Sequence, residues 1–335
     1  MSAGGEPRKI RVAVVGTGEF GRNHARVYGE LKGAELVGVF DREIARAEKT
    51  AQEFHTTAFK GIEELCGRVD AATVSVPTVA HAEVGCRLME MGIDVLVEKP
   101  MASTLAEADA LLEAAGKYRR ILQVGHVERF NPAVEAALGI VTRPLFFEVH
   151  RMSVFSPRSL DVDVVLDLMI HDLDIVLAFA KSPVKEVRAV GLPILSGKVD
   201  IANVRLELES GCIANFTASR VSTERVRKLR FFQPRQYVSL DYGRQEVLVF
   251  TVGQDEAVAN PSVNPQIGVT KVPVASEEPL HAELKSFLRA VRERSQPVVP
   301  LDDGRRALAL ALEIVAAIRE HGKKVDLAGI ANAKN

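Results

Sequence analysis

Residues 10–15, Ile-Arg-Val-Ala-Val-Val, run without a break into Gly16-Thr17-Gly18-Glu19-Phe20-Gly21. Few folds tolerate that junction. A short apolar run bounded by glycine reads as a buried strand, and G-x-G-x-x-G spacing turns the chain tightly into a helix that starts near Glu19. Gly16 allows the turn, Gly18 lets the backbone approach a pyrophosphate, and Gly21 lets the helix pack close to the strand. Asp41 ends the next apolar run, 20 residues after Gly21. A carboxylate there accepts hydrogen bonds from ribose hydroxyls and repels a 2′-phosphate. The combination predicts a dinucleotide-binding unit that takes NAD. Arg42 stays open between a cation for a 2′-phosphate and a solvated first-turn residue.

Beyond that junction, short apolar runs alternate with helical segments as far as Gly125, which is the pattern of a parallel sheet wrapped by helices. Strands are expected at 10–15, 36–40, 71–76, 95–97 and 121–124, and a helix at 81–91 ended by Gly92. Thr104-Leu105-Ala106-Glu107 has the form of a capping box. After about residue 126 the strands follow one another with turns between them. Val204, Leu206 and Leu208 alternate with Arg205, Glu207 and Glu209, and Ser210-Gly211 turns the chain into 212–220. That is a hairpin with one wet face. Further strands are expected at 145–152, 226–232, 236–241 and 246–251. Residues 254–278, rich in Pro, Asn, Gly and Ser, read as a long surface loop. Two helices follow, the second (305–321) apolar on most faces and expected to be buried between domains. The fold class is therefore α/β, with an N-terminal Rossmann domain (1–125) built on a parallel sheet. A C-terminal α+β domain (126–335) carries a largely antiparallel open sheet, and its last helices are expected to pack back on the first domain.

A chain of 335 residues suits two cores. Its net charge of −1 provides no basic field for nucleic acid or an anionic membrane. Cys66, Cys86 and Cys212 have neither pairing nor metal-ligand spacing, which suits a reducing cytoplasm. The polar first nine residues do not read as a secretory leader. The apolar stretch near the C-terminus is broken by Glu313, so no membrane span is expected.

Glu98-Lys99-Pro100 follows the apolar run Val95-Leu96-Val97. Ligands of open α/β sheets bind outside the carboxyl ends of the strands, so a cation there faces the cofactor crevice. This tripeptide, the upstream glycines and the two-domain grammar resemble the Gfo/Idh/MocA oxidoreductase superfamily over nearly the whole chain. The resemblance implies that Lys99 contacts the reacting hydroxyl and that the Lys-Pro bond is cis. Candidate cofactor-binding positions are Gly16, Gly18, Glu19, Phe20, Gly21, Asp41, Arg42, Pro77, His81, Glu98 and Lys99.

The other catalytic candidates are Asp167 and His171, which lie four apart, a spacing that shares one face of a helix, with Asp174 adjacent to His171. They match the family's Asp-x-x-x-His pattern, in which the histidine is a candidate base and the aspartate meets substrate. No cysteine or second histidine supports a metal there, and none is expected, because hydride chemistry is carried by the nicotinamide. His171 as base suits a pH near neutrality, with Lys99 stabilising the developing alkoxide. Lys99 as base is the alternative.

Residues 124–132, Val-Gly-His-Val-Glu-Arg-Phe-Asn-Pro, together with 167–172, resemble the branch of that superfamily that oxidises the 3-hydroxyl of UDP-N-acetylglucosamine to a 3-keto sugar for a partner aminotransferase. That implies a nucleotide-sugar substrate, with Arg129, Asn131, Asp174 and Arg220 as substrate-binding candidates. Asn131-Pro132 also reads as a turn start. A diphosphate needs further cations, and 220–230 offers Arg225, Arg227, Lys228 and Arg230, which equally suit a solvated strand or an interface. The alternative readings are an NAD-dependent dehydrogenase of a free polyol such as inositol, and a non-catalytic NAD-binding sensor. An uncovered face of the second sheet suggests a homodimer or homotetramer.

Overall fold

The computed structural model describes residues 8–155, 162–253 and 267–324. The chain begins with β1 (Ile10–Val15), α1 (Glu19–Glu30), β2 (Ala34–Phe40), α2 (Ile44–Glu53), β3 (Thr57–Phe59) and β4 (Ala71–Val74). Then come α3 (His81–Glu90), β5 (Asp94–Glu98), α4 (Leu105–Tyr118) and β6 (Leu122–Gly125). Next are α5 (Pro132–Leu138), β7 (Phe146–Val154), a π-helical turn (Val165–Met169) and α6 (Ile170–Ala180). A run of strands follows: β8 (Val184–Leu192), β9 (Ile201–Leu208), β10 (Ile213–Ser222), β11 (Val226–Gln233), β12 (Gln236–Asp241), β13 (Glu246–Val252) and β14 (Ile267–Val272). Helices α7 (Pro279–Glu293) and α8 (Leu301–Lys324) close it.

The first compact unit takes in the chain up to Phe130 and again Glu278–Arg305. Its sheet has the order β3-β2-β1-β4-β5-β6, and every neighbouring pair in it is parallel. Strands β1 and β5 are valine-rich because both faces are covered: Val12, Val14, Val95 and Val97 are all fully buried. On one side α1 contributes Ala25, Val27 and Tyr28, and α7 contributes Leu284, Phe287, Leu288 and Val291, to one apolar cluster with Val12, Val14 and Leu96. On α4 the capping box is present, Thr104 Oγ1 accepting from Glu107 N at 3.2 Å and Glu107 Oε2 accepting from Thr104 N at 3.2 Å.

The expected boundary at 125/126 thus moves to Phe130/Asn131, and α7 returns to the first unit because its apolar stripe completes the cluster with α1. Strand β3 adds a short sixth member to the five expected.

The second unit comprises Asn131–Glu277 and the chain from Arg306. Its eight-stranded sheet runs β14-β13-β12-β11-β7-β10-β9-β8 and is antiparallel except for the β7/β10 pair. The hairpin at 201–222 has the expected alternation, with Val204, Leu206 and Leu208 buried and Gly211 taking a positive φ of 81° at the turn. One sheet face packs Phe147, Val149, Phe216, Leu229 and Phe231 against α6 and α8. The opposite face carries a cross-strand aromatic row, Phe146, Phe232, Tyr237 and Phe250, with centroid spacings of 5.8, 4.9 and 4.9 Å.

Two expectations are corrected here. The segment read as a loop over 254–278 contains β14, an exposed edge strand paired with β13; its first part, 254–266, lies outside the described residues. The helix expected between domains is α8, and it places Ala307, Leu310, Ala311, Ile314, Val315 and Ile318 in the second unit's own core. Its opposite side, with Arg306, Glu313 and Arg319, is exposed, as the helical period dictates.

Candidate active site

In the first unit the glycine loop is built as its spacing requires. Gly16 has φ +91°, and a Cβ there would lie 2.4 Å from Ser75 O. At Gly21 a Cβ would lie 1.8 Å from Gly16 O, so the helix could not approach the strand. Gly18 differs, because nothing lies within 4 Å of the position its Cβ would take. This open face sits at the N-terminus of α1, where Gly18 supplies no side-chain cap. Its N–H groups and the helix dipole are thus presented to an anion. Asp41 is locked to the same loop: Thr17 N donates to its Oδ2 at 2.8 Å and Thr17 Oγ1 at 3.1 Å, while Glu43 N donates to Oδ1 at 2.9 Å. Glu19, Phe20 and Arg42 are exposed around it. The donor set and the open cradle fit the pyrophosphate and adenosine ribose of NAD.

At the carboxyl end of β5, the Lys99-Pro100 peptide is cis, as the resemblance implied. Two buried histidines shape this corner. His81, 1% exposed, sets Nδ1 2.9 Å from Pro100 O and Nε2 2.9 Å from Val76 O, and so ties the loop after β4 to the loop after β5. Burial pushes its pKa below the ordinary histidine value, although both carbonyls favour the proton. Expected to touch the cofactor, His81 is instead a strut committed to backbone, with exposed Pro77 opening the short turn that leads into it. Glu98 Oε1 meets His24 Nε2 at 2.8 Å, and Glu98 Oε2 accepts from Lys99 N at 3.1 Å. Burial raises the Glu98 pKa, but the His24 hydrogen bond and the charges of His24 and Lys99 outweigh it, and the carboxyl stays below its usual range.

In the second unit Asp167 lies within the π-helical turn and His171 in the first turn of α6. The expectation of a plain α-helix is therefore corrected. A π turn is wider than an α turn and re-aims the side chains around it. Both residues are half-buried, whereas Asp172 and Asp174 are each 1% exposed. Asp174, expected beside His171 at the substrate, is thus a buried residue of α6. Asp172 is occupied by Arg151, whose Nε and Nη2 donate to it at 2.6 and 3.0 Å. Neither this ion pair nor the π turn has a sequence signal, since each depends on a backbone path or a partner distant in sequence.

The remaining substrate candidates have structural tasks. Asn131 Oδ1 accepts from Ala133 N at 3.1 Å, capping α5, and its Nδ2 donates to Tyr242 O at 3.1 Å. Arg220 is 4% exposed; it donates to Asp200 Oδ1 at 2.8 Å, to Val162 O at 2.8 Å and to Ser196 Oγ at 3.1 Å. Arg129 pairs with Asp303 at 2.8 Å within the first unit. Of the basic run on β11, Arg230 pairs with Glu148 at 3.1 Å and Lys228 lies 3.8 Å from Asp241.

A 3-2-1-4-5-6 parallel sheet with an open glycine cradle and a carboxylate just past β2 is the arrangement of a dinucleotide-binding domain. The chain belongs to the Gfo/Idh/MocA family: residues 10–126 match the oxidoreductase family with NAD-binding Rossmann fold, and residues 144–237 match the GFO/IDH/MocA C-terminal domain. It is similar to the UDP-N-acetylglucosamine 3-dehydrogenase of Acidithiobacillus ferrooxidans, 35% identical over 313 residues that cover 92% of this chain and 97% of that one. A solved structure of that enzyme superposes with a TM-score of 0.86 at 34% identity, covering 93% of this chain and 98% of that chain. The inositol 2-dehydrogenase of Rubrobacter xylanophilus is 30% identical over 232 residues, 65% of this chain and 67% of that one. The fold alone is shared with myo-inositol 2-dehydrogenase from Lactobacillus plantarum, at a TM-score of 0.77 and 19% identity over 94% of this chain and 98% of that one.

Proposed function

We propose that this NAD-dependent dehydrogenase oxidises the 3-hydroxyl of UDP-N-acetylglucosamine to a 3-keto sugar, which a partner aminotransferase then consumes. The observation that carries the reading is end-to-end likeness to an enzyme of that name, spanning both units, where the likeness to the inositol 2-dehydrogenase of Rubrobacter xylanophilus covers about two thirds of the chain. Bound NAD supplies the hydride acceptor. Lys99 holds a positive charge against the substrate oxygen and stabilises the alkoxide as it develops. His171 takes the hydroxyl proton, and its position beside the π turn with Asp167 keeps it half exposed, able to pass that proton to solvent. Free thiols at Cys66, Cys86 and Cys212 are consistent with a reducing compartment, and no helix among the described residues is long and apolar enough to cross a membrane.

One observation favours a second reading, oxidation of a free polyol such as inositol. A nucleotide sugar brings a diphosphate, yet Arg220 is consumed by Asp200 and backbone carbonyls, and Lys228 and Arg230 face carboxylates of neighbouring strands. The deciding assay supplies NAD with UDP-N-acetylglucosamine, glutamate and an aminotransferase, and follows NADH absorbance and sugar mass. An aminated sugar formed only with this protein supports the first reading; NADH produced from inositol alone moves the enzyme to the second. Lys99→Ala and His171→Ala are each expected to lower turnover by about 100-fold or more with NAD still bound. Intact turnover in both would remove these residues from the chemistry.

A further inference from the structure

Behind Lys99, between the first sheet and helices α1 and α7, lies a group of buried polar atoms that the proposed chemistry does not use. Glu283 on α7 is 0% exposed, as is Gln123 on β6. Among the described residues no group hydrogen-bonds to either carboxyl oxygen of Glu283, to either amide atom of Gln123, or to His24 Nδ1. All five atoms belong to one layer. Gln123 is in register with Leu96, and strand alternation gives it the face on which Leu96 packs with Leu284 and Phe287 of α7. His24 points from α1 into the same layer and holds Glu98, which in turn accepts from the Lys99 backbone N–H at 3.1 Å. A Cβ on Gly125 would come within 3.2 Å of the Glu98 carboxyl, so glycine at that place leaves the carboxyl its room.

Five buried polar atoms without protein partners are costly unless internal water serves them. A second buried carboxylate beside Glu98 would be costlier still, unless one of the two keeps its proton. We propose that Glu283, carrying its proton, is a positioning residue: through water enclosed with Gln123 and His24 it holds Glu98, and Glu98 holds the backbone of Lys99. Burial, with the negative charge of Glu98 added, raises the Glu283 carboxyl well above its ordinary value. Tyr28 on α1, hydrogen-bonded to Thr73 at 2.9 Å, also feels the charge of this carboxyl. The inference rests on Lys99 acting at the reacting end of the cofactor.

The test is infrared difference spectroscopy on the full chain near neutral pH, wild type against Glu283→Gln, with and without NAD. A protonated-carboxyl C=O band present in wild type, absent in Glu283→Gln and displaced when NAD binds, is the expected result. Absence of the band, or a band indifferent to NAD, overturns the proposal. Glu283→Leu is expected to lower kcat roughly tenfold while NAD affinity stays within about twofold, and Glu283→Gln to restore most of the loss. Equal losses in both variants together with a lowered Tm would make Glu283 a structural residue only. The infrared result needs no sugar, so it stands or falls apart from the substrate reading, and a turnover-competent Lys99→Ala would remove the Lys99 role without touching the Glu283 band.

Discussion

Gly18 and Gly21 lie three residues apart in one loop and answer to different physics. A methyl at Gly21 would overlap the carbonyl of Gly16, whereas a methyl at Gly18 would project into open space. Gly21→Ala is expected to destabilise the protein by about 3 kcal/mol or more, read as a lowered denaturation midpoint. Gly18→Ala, at φ −60°, should melt like wild type but bind NAD roughly tenfold more weakly, because the added methyl stands where the pyrophosphate must approach. Equal melting of the two variants would contradict the geometry. The glycine turn was legible because its geometry is local to one strand-turn-helix, and the cis Lys99-Pro100 peptide was legible through the family resemblance. Asn131 was legible in part, since its cap on α5 is the turn start that Asn131-Pro132 announces, whereas its bond to Tyr242 O, 111 residues on, and the Arg220–Asp200 pair, 20 residues apart, were not; a polar side chain in sequence does not announce whether it faces a ligand or its own backbone.

Among the elements, strands covered on both faces or on one face were readable from apolar runs and alternation. Those missed had neither pattern. β3 has three residues, β8 is an edge strand whose alternation is interrupted by Lys185, Glu186 and Arg188, and β14 has exposed or half-exposed residues throughout. The π turn was hidden for another reason, since it is a matter of one extra residue per turn and not of composition. Deleting Leu166 leaves the Asp167–His171 spacing at four residues while allowing the segment to close as an ordinary α-helix. Turnover is expected to fall by roughly tenfold or more with NAD affinity unchanged, measured by steady-state kinetics beside a cofactor titration; undiminished turnover would show that the turn's width is irrelevant.

Over the whole molecule, two buried groups oppose each other in pH dependence. His81 binds its proton more weakly folded than unfolded, so the stability it contributes is present above its unfolded pKa, about 6.5, and lost as pH falls through the lower folded value. Glu283 is the reverse: its contribution is present below its unfolded pKa, about 4.3, and lost as pH rises toward its raised folded value. His81→Gln should therefore flatten the acid limb of a Tm-against-pH curve and Glu283→Gln the alkaline limb. Unchanged limbs in a melting series would refute those assignments. The open sheet face makes a separate prediction: Phe232 in its aromatic row is 39% exposed and Val269, paired with Phe250 on the edge strand, is 58% exposed, and an uncovered apolar face of this kind is where a second copy of the chain is expected to dock. Phe232→Lys should then shift sedimentation toward monomer, and an unaltered sedimentation coefficient would leave that face without a partner.

The first unit's apolar cluster closes only when Leu284, Phe287, Leu288 and Val291 arrive on α7, long after β6 has been made. During synthesis the cofactor-binding half must therefore wait, its α1 face uncovered, while a whole eight-stranded sheet is translated between its two parts. Long-range closure of this kind is slow and exposes apolar surface in the interval. A nascent chain stalled before α7 would be a client for chaperones, and a ribosome that pauses between β14 and α7 would prolong that state more than a pause anywhere after α8 has emerged.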